Sequence, residues 1–593
     1  MTGILETAPN PQFARENWYD LTGIWRFRYD DDDIGMQSGW GNQDFGSESL
    51  EILVPYPPES ELSGINDPSF HPVVWYQREL PAPSAGDQAI TLIRFGAVDH
   101  QATVWINGVL VGHHVGGSAP FTVEVSTHWL DSFDKRLLTL RAFDSPTDLE
   151  QPRGKQGWSI EPIKIWYKRT TGIWQPVWME SVPETHVDHV RWVYDATACM
   201  LHLDVELNRA PVGPLGVTAS VSLPDMPDLT CTLLLADRIG STSISLEELT
   251  ASGALDSLLW SPESPTLLPP RVCTTSGDDV RGNVGLRSLD LGKSGYMING
   301  QLIWLSMVLS QGYFPESHYA APSADAIRRE VELTLALGFN GARTHQKAED
   351  PRYLYWADRL GLLLWGEVGA AQQWSDRGIE LLTNEWRDLV RRDINHPSII
   401  TWVPFNESWG VADVLNCEQQ RNAVRALYAL TNALDGTRPV VGNDGWEHVS
   451  TDIFSLHDYQ WDGMALTRRY RDQSNQGIAH EYFAAGRKAV AAPDLEVNEL
   501  PLMVSEFGGV SFAPAKGDDW YGYGMVPNED AFIAKYRELA EALHNCPQLI
   551  GACYTQLTDT EQETNGLLNA DRTPKVDIDI LRTITRGEKV AAV

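Results

Sequence analysis

The segment Ser323–Arg343, SADAIRREVELTLALGFNGAR, decides the fold class of the larger part of the chain. Apolar residues recur at helical spacing and predict a helix over Ala324–Leu337, with Ser323 able to cap its start and Gly338 its end. The apolar run that follows, up to Arg343, is typical of a short buried strand. Helices that alternate with such strands are the repeating unit of parallel α/β folds.

The same alternation continues towards the end of the chain. Eight apolar strands are predicted: Leu302–Leu309, Gly338–Arg343, Leu362–Glu367, Ile400–Asn406, Pro439–Asn443, Ile453–His457, Leu502–Glu506 and Leu549–Thr555. A further helix is predicted over Glu385–Ile394, after Asn384, and the interval 458–501 is long enough to hold an inserted loop or helix. Together these elements predict a (β/α)8 TIM barrel over residues 286–593.

The residues before the barrel have a different pattern. Short alternating runs separated by turn residues, with Asn107-Gly108 as a hairpin turn, predict a β-sandwich over residues 1–182. The strand pattern continues through residues 183–285, a length that suits one immunoglobulin-like β-sandwich. We therefore expect a multidomain protein with two β domains before the barrel.

The charge of the chain disfavours two classes of partner. Its 593 residues include 46 Lys and Arg against 80 Asp and Glu, a formal net charge of −34. Such a surface repels phosphate backbones and anionic lipids, so we expect no nucleic-acid partner and no membrane partner. Neutral ligands remain open, and the 22 Trp and 19 Tyr residues could pack in cores or stack on sugar rings.

Cysteine usage and the N-terminus indicate a reducing environment. The six cysteines have no CxxC spacing, and we interpret them as reduced core thiols. With no signal-peptide pattern and no apolar run long enough to span a bilayer, we expect a cytoplasmic protein. The sequence leaves open whether it forms a homo-oligomer. We expect no cofactor and no metal, because the partial motifs at Gly292–Ser294 and His480-Glu481 each lack a required residue.

Polar residues end most of the predicted barrel strands, where the active site of such a barrel lies. They include Arg343, Glu367, Asn406-Glu407, Asn443-Asp444, His457 and Glu506. Glu407 and Glu506 end strands on opposite sides of the predicted barrel mouth. Glycoside cleavage needs such a pair, because one carboxyl protonates the leaving oxygen while the other attacks the anomeric carbon or activates water. Any single glutamate is more often a surface or structural carboxylate, but the placement of the whole set favours catalysis.

The chain resembles glycoside hydrolase family 2, the family of β-galactosidases, β-glucuronidases and β-mannosidases. The segments that carry the resemblance are TGIWQPVW at 171–178, GFNGAR at 338–343, YWADRLGL at 355–362, NHPS at 395–398, WVPFNES at 402–408 and SEFGG at 505–509. The resemblance implies a jelly roll, an immunoglobulin-like sandwich and a catalytic barrel. It also implies a retaining mechanism in which Glu407 is the acid/base, Glu506 the nucleophile and Asn406 the residue that holds the 2-hydroxyl, while Tyr459 hydrogen-bonds the nucleophile.

Three departures from the family pattern bear on the substrate. Members that cleave glucuronides carry Asn-x-Lys-Gly after the eighth strand, whereas residues 563–566 here are Glu-Thr-Asn-Gly, without the lysine. Residues Val368–Ala370 lack the histidine through which the large β-galactosidases bind magnesium. The segment from Arg343 to His345 is one residue shorter than in these enzymes, which leaves His345 as either a pocket residue or a buried structural histidine.

We therefore expect a retaining exo-β-glycosidase, most simply of the β-galactosidase type, acting on a carbohydrate substrate. Alternatives are another glycon (galacturonide, glucuronide, arabinofuranoside or mannoside) or a non-catalytic carbohydrate-binding protein. A carboxylate on the glycon could still meet Lys516 or Arg343, and the segment Gly154–Trp158 is either a loop that reaches the pocket or a surface turn. Beyond the catalytic Glu407 and Glu506, the residues predicted to bind substrate are Asn406, Arg343, His345, Tyr459, Trp409, Trp374, Glu367, His457 and Asn565.

Overall fold

The N-terminal part of the protein is a sandwich of two antiparallel sheets. A computed structural model describes residues 2–83, 89–484, 488–512 and 522–588. In spatial order, one sheet contains Leu50–Val54, Gly23–Tyr29, Val73–Glu79, Leu137–Phe143, Gln101–Ile106 and Val109–Val115. The other contains Trp18–Asp20, Val177–Val182, Ile90–Phe95 and Phe121–Ser126. Trp25, Tyr76 and Phe95 are among the buried side chains between the sheets.

A second sandwich follows. Its sheets contain Val187–Asp195, Met200–Leu207 and Ile239–Ser245 on one side, and Met226–Leu235, Leu215–Leu223, Pro270–Thr274 and Asp279–Arg281 on the other. Alternate side chains of Met200–Leu207 are buried, which is the period-two pattern of a strand with one face on a core. Short helices in the two sandwiches are Thr127–Asp131 and Glu247–Ser252, and Thr2–Thr7 precedes the first strand.

The C-terminal part is the predicted barrel. Its parallel strands, in spatial order, are Ile399–Val403, Leu363–Glu367, Gly341–Thr344, Leu305–Ser310, Leu549–Thr555, Leu502–Gly508 and Phe454–Asp458. Its helices are Ala324–Ala336, Pro351–Leu360, Asp376–Asp393, Glu418–Leu434, Gly463–Asp472, Asn475–Ala484, Glu529–His544 and Ile578–Thr585. Two of them occupy the predicted insertion between 458 and 501. The multidomain fold class predicted from the sequence is confirmed.

The predicted fifth strand, Pro439–Asn443, is not a regular strand. Val440 and Asp444 make parallel bridges to Trp402 and Asn406, so the segment fills the place of a strand at this point in the wall. Pro439 has no backbone N–H to donate. The backbone of Val440 also accepts from the N–H of Asp452 at 2.9 Å, so pairing in this segment is shared with a local turn.

Two other predicted boundaries were wrong. The first barrel strand begins at Leu305 rather than Leu302, because Gln301–Ile303 belongs to a small antiparallel sheet with Leu289–Gly292 and Gly295–Ile298. Residues of that sheet share an apolar cluster with the barrel strands. The predicted helix Glu385–Ile394 begins earlier, at Asp376, because Ser375 accepts a cap hydrogen bond from the N–H of Gly378 at 2.9 Å, and Asn384 lies inside the helix.

The first sandwich contacts the mouth of the barrel through the segment that begins at Gly154. The N–H groups of Arg153 and Gly154 both donate to the carbonyl of Ala370 at 3.1 Å, just beyond the strand Leu363–Glu367. A Cβ atom on Gly369 would lie 2.8 Å from the nitrogen of Gly154, so glycine permits this close approach. The segment is therefore a docked loop and not an ordinary surface turn.

The cysteines and helices bear on two further predictions. All six cysteines are free, but only Cys546 and Cys553 are buried, so the description of the whole set as core thiols was wrong. Cys199, Cys231 and the others have only intermediate burial, which suits their positions on sandwich strands and connecting segments.

Within the described ranges, no helix combines the length and the apolar character needed to cross a membrane.

Candidate active site

Glu407 and Glu506 lie together at the carboxyl end of the barrel strands. Glu407 follows the strand Ile399–Val403, and Glu506 lies within the strand Leu502–Gly508. One carboxylate oxygen of each, with a ring nitrogen of His457, fall within 4.8 Å of one another. The side chain of Glu407 is 16% exposed and that of Glu506 is 5% exposed, so both are largely withdrawn from bulk water.

The backbone at Glu407 adopts a conformation that turns the chain sharply. Both Glu407, with φ +54°, and Ser408, with φ +59°, occupy the left-handed region that non-glycine residues rarely enter. The amide oxygen of Asn443 accepts from the N–H of Ser408 at 2.9 Å, and the N–H of Glu407 donates to the carbonyl of Asp444, also at 2.9 Å. These bonds hold a strained turn in place, as is common at functional sites.

His457 joins three carboxylates at the base of the site. Its Nδ1 lies 2.7 Å from Glu407, and its Nε2 lies 2.8 Å from Asp444 and 3.4 Å from Glu506. Burial alone would lower the pKa of His457, but Glu506 and Asp444 outweigh it and raise that pKa to about 10. His457 is therefore an imidazolium at neutral pH, and both ring nitrogens donate. Burial would also raise the pKa of Glu407, but the hydrogen bond from His457 outweighs it and lowers that pKa.

Arg343 is the second buried cation of the site. Its guanidinium donates to Glu367 at 2.7 Å and to Glu506 at 3.1 Å, and it forms an ion pair with Asp444 at 2.7 Å. Burial opposes the charge of the guanidinium, but these carboxylates outweigh it and raise the pKa of Arg343. Glu367 has no free oxygen, because its other oxygen accepts from the N–H of Gln346 at 3.0 Å. Glu367 thus acts on the site through Arg343.

Tyr459 contacts Glu506 directly. Its hydroxyl donates to one carboxylate oxygen of Glu506 and lies 3.2 Å from the hydroxyl of Thr555. The ring of Tyr459 stacks on that of Tyr523, with centroids 3.4 Å apart. Glu506 therefore accepts from Arg343 on one oxygen and from Tyr459 on the other, an arrangement that fixes its orientation.

Asn406 presents an unused donor to the site. Its amide oxygen accepts from Arg343 at 3.0 Å, so the hydrogen bond fixes which way the amide points. Its amide nitrogen has no hydrogen-bond partner in the described part of the protein, although the residue is only 3% exposed. Buried donors without a partner are rare. The two N–H bonds of this amide can therefore be offered to an oxygen of a ligand.

Aromatic residues of the first domain contact barrel residues beside the site. Trp166 meets Trp409 edge-on with ring centroids 4.9 Å apart, and Trp158 lies 5.3 Å from Trp166. The hydroxyl of Tyr167 donates to Glu563, which follows the last barrel strand. The pocket is thus completed by two domains, with an aromatic wall beside the turn that carries Glu407.

The remaining predicted residues differ in how close they come to the catalytic pair. His345 is buried, lies 3.3 Å from Arg343 and 3.5 Å from Glu367, and is 4.0 Å from Glu506. Asn565 is buried one step away and donates to Glu563 at 3.3 Å. Trp374 packs against the main barrel cluster, and within the described ranges no ring contact or hydrogen bond links it to the pair. Lys516 lies outside the described residues.

Four residues of the site were not among those predicted: Asp444, Lys155, Glu563 and Tyr523. Asp444 was predicted to end the fifth strand, but it was not assigned a role in the site. Lys155 and Glu563 belong to segments noted in the sequence, but nothing local indicates that the two segments meet. Tyr523 gives no signal in the sequence, because it stacks on Tyr459 but lies far from Tyr459 along the chain.

Glu407, His457 and Glu506 also resemble a set of metal ligands, because their donor atoms lie within 4.8 Å of one another. The described ranges contain no other such group of three. A metal-ligating histidine must be neutral, because protonation removes the lone pair that binds the ion. The raised pKa of His457 therefore favours hydrogen bonding over metal binding in this cluster.

Comparison with known proteins agrees with this architecture. The model for the sugar binding domain of glycosyl hydrolases family 2 matches residues 18–144, and that for the family's TIM barrel domain matches residues 316–589. A β-glucuronidase from Sus scrofa is 22% identical over 483 residues, covering 73% of this chain and 69% of that protein. A β-galactosidase from Thermoanaerobacter pseudethanolicus is 23% identical over 388 residues, covering 62% and 48%. The chain spans about half the length of the first curated relatives it matches.

A solved structure resembles the whole chain. The family 2 β-galacturonidase from Eisenbergiella tayi bound to galacturonate superposes with a TM-score of 0.73 at 18% identity, covering 98% of each chain. At that identity the likeness shows the fold. With one family's models matching both its first sandwich and its barrel, the chain belongs to glycosyl hydrolase family 2.

Proposed function

We propose that the protein removes a terminal sugar from a β-glycoside with retention of configuration, through a covalent glycosyl-enzyme. The observation that carries the proposal is the distance between the carboxyl groups of Glu407 and Glu506, whose oxygens come within 4.8 Å. Retaining glycosidases hold the two groups about 5–5.5 Å apart, whereas inverting enzymes need about 6.5–9.5 Å to admit a water molecule. The short distance supports double displacement.

In the first step an oxygen of Glu506 attacks the anomeric carbon while Glu407 gives its proton to the leaving oxygen. The bond from the anomeric carbon to that oxygen breaks, and the aglycone leaves as an alcohol. In the second step Glu407 takes a proton from water, and the water oxygen attacks the anomeric carbon. The ester bond to Glu506 breaks, and the sugar leaves with its original configuration.

The hydrogen bonds around the pair support this division of roles. Arg343 and Tyr459 donate to the two oxygens of Glu506 and orient it for attack. The hydrogen bond from His457 lowers the pKa of Glu407 and so favours the carboxylate, which is the base that the second step needs. The unused donor of Asn406 suits the 2-hydroxyl beside the reacting carbon.

The names of the similar proteins favour three of the glycons considered from the sequence. The relatives and the solved structure named above are a β-glucuronidase, a β-galactosidase and a β-galacturonidase, whose sugars differ at C4 and C6 of one pyranose frame. Two of the three names refer to uronides, so the β-galactoside predicted from the sequence is not favoured over them. We include all three glycons in the proposal.

The test is a panel of 4-nitrophenyl glycosides: β-galactoside, β-galacturonide, β-glucuronide, β-mannoside and α-L-arabinofuranoside. For the best substrate, proton NMR is expected to show the β-anomer as the first product. Glu506→Ala is expected to lose about 10⁵-fold or more in kcat, since no covalent intermediate can form. Azide is expected to rescue Glu506→Ala with the α-glycosyl azide as product and Glu407→Ala with the β-glycosyl azide.

An α-anomer as the first product would replace double displacement by inversion. Unchanged turnover in Glu506→Ala would remove the assignment of the nucleophile. Sugar binding in isothermal titration without hydrolysis of any glycoside would favour the non-catalytic carbohydrate-binding protein instead.

A further inference from the structure

Lys155 is a buried cation without a counter-charge of its own. It lies in the loop that the first sandwich docks on the barrel, and it is 5% exposed. Its ammonium lies 5.2 Å from the ring centre of Trp166 and 5.4 Å from that of Tyr167. Within the described part of the chain, no acidic side chain forms an ion pair with it. Buried charges are almost always paired, because an isolated charge is costly to remove from water.

Three carboxylates surround Lys155 at a distance. Burial lowers the pKa of Lys155, and Glu563, Glu407 and Glu506 act against that effect in this order. Glu563 hydrogen-bonds to the hydroxyl of Tyr167 and the amide of Asn565, and its oxygens do not come within ion-pair distance of Lys155. Lys155 thus packs against Tyr167, which donates to Glu563, and against Trp166, which meets Trp409 two residues beyond Glu407.

We propose that Lys155 binds a carboxylate on the terminal sugar, so that the first domain supplies the residue that selects a uronide. The proposal rests on the proposed function, since it names the substrate class of the same pocket. It assigns the selecting cation to a loop outside the barrel, at a residue that the strand-end pattern does not reveal.

The chemistry of the reaction favours an anionic partner for Lys155. The sugar ring gains positive charge in the oxocarbenium-like transition state of glycoside cleavage. An unpaired ammonium in the same pocket repels that charge, and the repulsion is strong where water is excluded. A carboxylate on the sugar neutralises the ammonium, so the cation then helps binding without opposing the reaction.

The position of Lys155 favours the glycon over the aglycone. Tyr167, against which Lys155 packs, is buried together with its hydrogen-bond partner Glu563, whereas Trp158, which contacts Trp166, is 37% exposed. Lys155 is therefore on the buried side of this aromatic group, which suits contact with the terminal sugar held by an exo-acting enzyme.

The experiment compares matched substrates on matched variants. Rates of hydrolysis are measured for 4-nitrophenyl β-galacturonide against β-galactoside, and for β-glucuronide against β-glucoside. The variants are Lys155→Met and, as a control, Lys164→Met, which removes an exposed lysine a few residues further along the same domain. A hydrogen bond to a charged group contributes about 1.5–3 kcal/mol, which corresponds to about 10- to 150-fold.

We expect the wild-type protein to prefer the uronide of at least one pair. Lys155→Met is expected to lower kcat/KM for that uronide by about 10- to 150-fold and to leave the neutral sugar unchanged or faster. Lys164→Met is expected to match the wild type on every substrate. Activity on the neutral sugar also shows that the variant is folded.

Two kinds of failure are distinguishable. If the wild type cleaves the neutral sugar of each pair at least as fast, or if Lys155→Met lowers both sugars equally, the role of Lys155 is overturned while the retaining mechanism stands. If no glycoside is cleaved, the proposed function fails. Isothermal titration of galacturonate and galactose then tests Lys155 alone, and equal affinities for the two sugars would overturn the proposal. If Lys155→Met does not fold, Lys155→Gln replaces it in the same comparison.

Discussion

Replacing His457 with glutamine is expected to move the pH dependence of kcat/KM to higher pH. In the wild type the imidazolium lies 2.7 Å from Glu407 and 3.4 Å from Glu506. In the proposed mechanism Glu407 is the general acid, so the basic limb of the profile reports loss of its proton. The hydrogen bond from the imidazolium lowers the pKa of Glu407, so this limb lies at lower pH than it would without His457.

The distances set the size of the shift. An opposite charge within about 4–6 Å lowers the pKa of a carboxyl group by about 1–3 units. Glu407 lies 2.7 Å from the imidazolium, so we expect the basic limb to rise by about 1–3 pH units. Relative to its own maximum, the variant should then be about 10- to 1000-fold more active than the wild type on the alkaline side. The maximum itself should fall by at least about ten-fold, because Glu407 loses a charged hydrogen bond.

The assay is the pH profile of kcat/KM for the best nitrophenyl glycoside, with His448→Gln as the matched control. His448 is also fully buried, but its Nε2 donates to the carbonyl of Ser455 at 2.7 Å, and burial lowers its pKa. Loss of that neutral ring should leave the limbs of the profile in place. A profile of His457→Gln that superimposes on the wild type, or that moves to lower pH, would refute the electrostatic role of His457. An equal shift in His448→Gln would show that the effect comes from a general loss of packing around the site and not from the charge of His457.

Three further outcomes are expected. The pKa of His457 is about 10 in the folded protein and about 6.5 in the unfolded chain. The protonated ring therefore stabilises the fold fully below about pH 6.5, and this stabilisation is lost as the pH rises through about 10. Denaturant titrations should show the free energy of unfolding fall by at most about 5 kcal/mol over this range, and by less in His457→Gln. Asn406→Ala should lower kcat/KM about 10- to 100-fold on ordinary glycosides and much less on 2-deoxyglycosides, where an equal loss on both would exclude contact with the 2-hydroxyl. Gly369→Ala should lower the free energy of unfolding by about 1–3 kcal/mol, because its Cβ would press on Gly154, whereas Gly436→Ala, with only ordinary contacts, should be tolerated; equal stability of the two variants would count against the tight docking.

The barrel and the placement of Glu407 and Glu506 at one end of it could be predicted because their signals are local. A buried strand is a short apolar run, and the residue that ends it faces the mouth of the barrel whatever happens elsewhere in the chain. The positions of Glu407 and Glu506 at strand ends therefore predict a shared site, although the two residues are far apart in sequence. The segment Pro439–Asn443 shows the limit of the same reasoning, because an apolar run predicts burial but does not determine which backbone groups pair.

Contacts between elements could not be predicted in the same way. The role of His457 depends on three carboxylates that arrive from three different strand ends, and no pattern in the sequence gives their mutual distances. The start of the helix Asp376–Asp393 was missed for a related reason. Asn384 is as good a cap by residue type as Ser375, and only the observed cap bond to Gly378 decides between them.

The pocket separates bond cleavage from selection of the sugar, and the two depend on different parts of the chain. Glu407, Glu506 and the cations between them belong to the barrel, where a shift of either carboxylate would change the distance that retention requires. Lys155 belongs to a loop held on the barrel by backbone hydrogen bonds to Ala370. A change in that loop can alter the charge in the pocket without moving the barrel strands. The ratio of uronide to neutral-sugar activity in variants of this loop measures that separation directly.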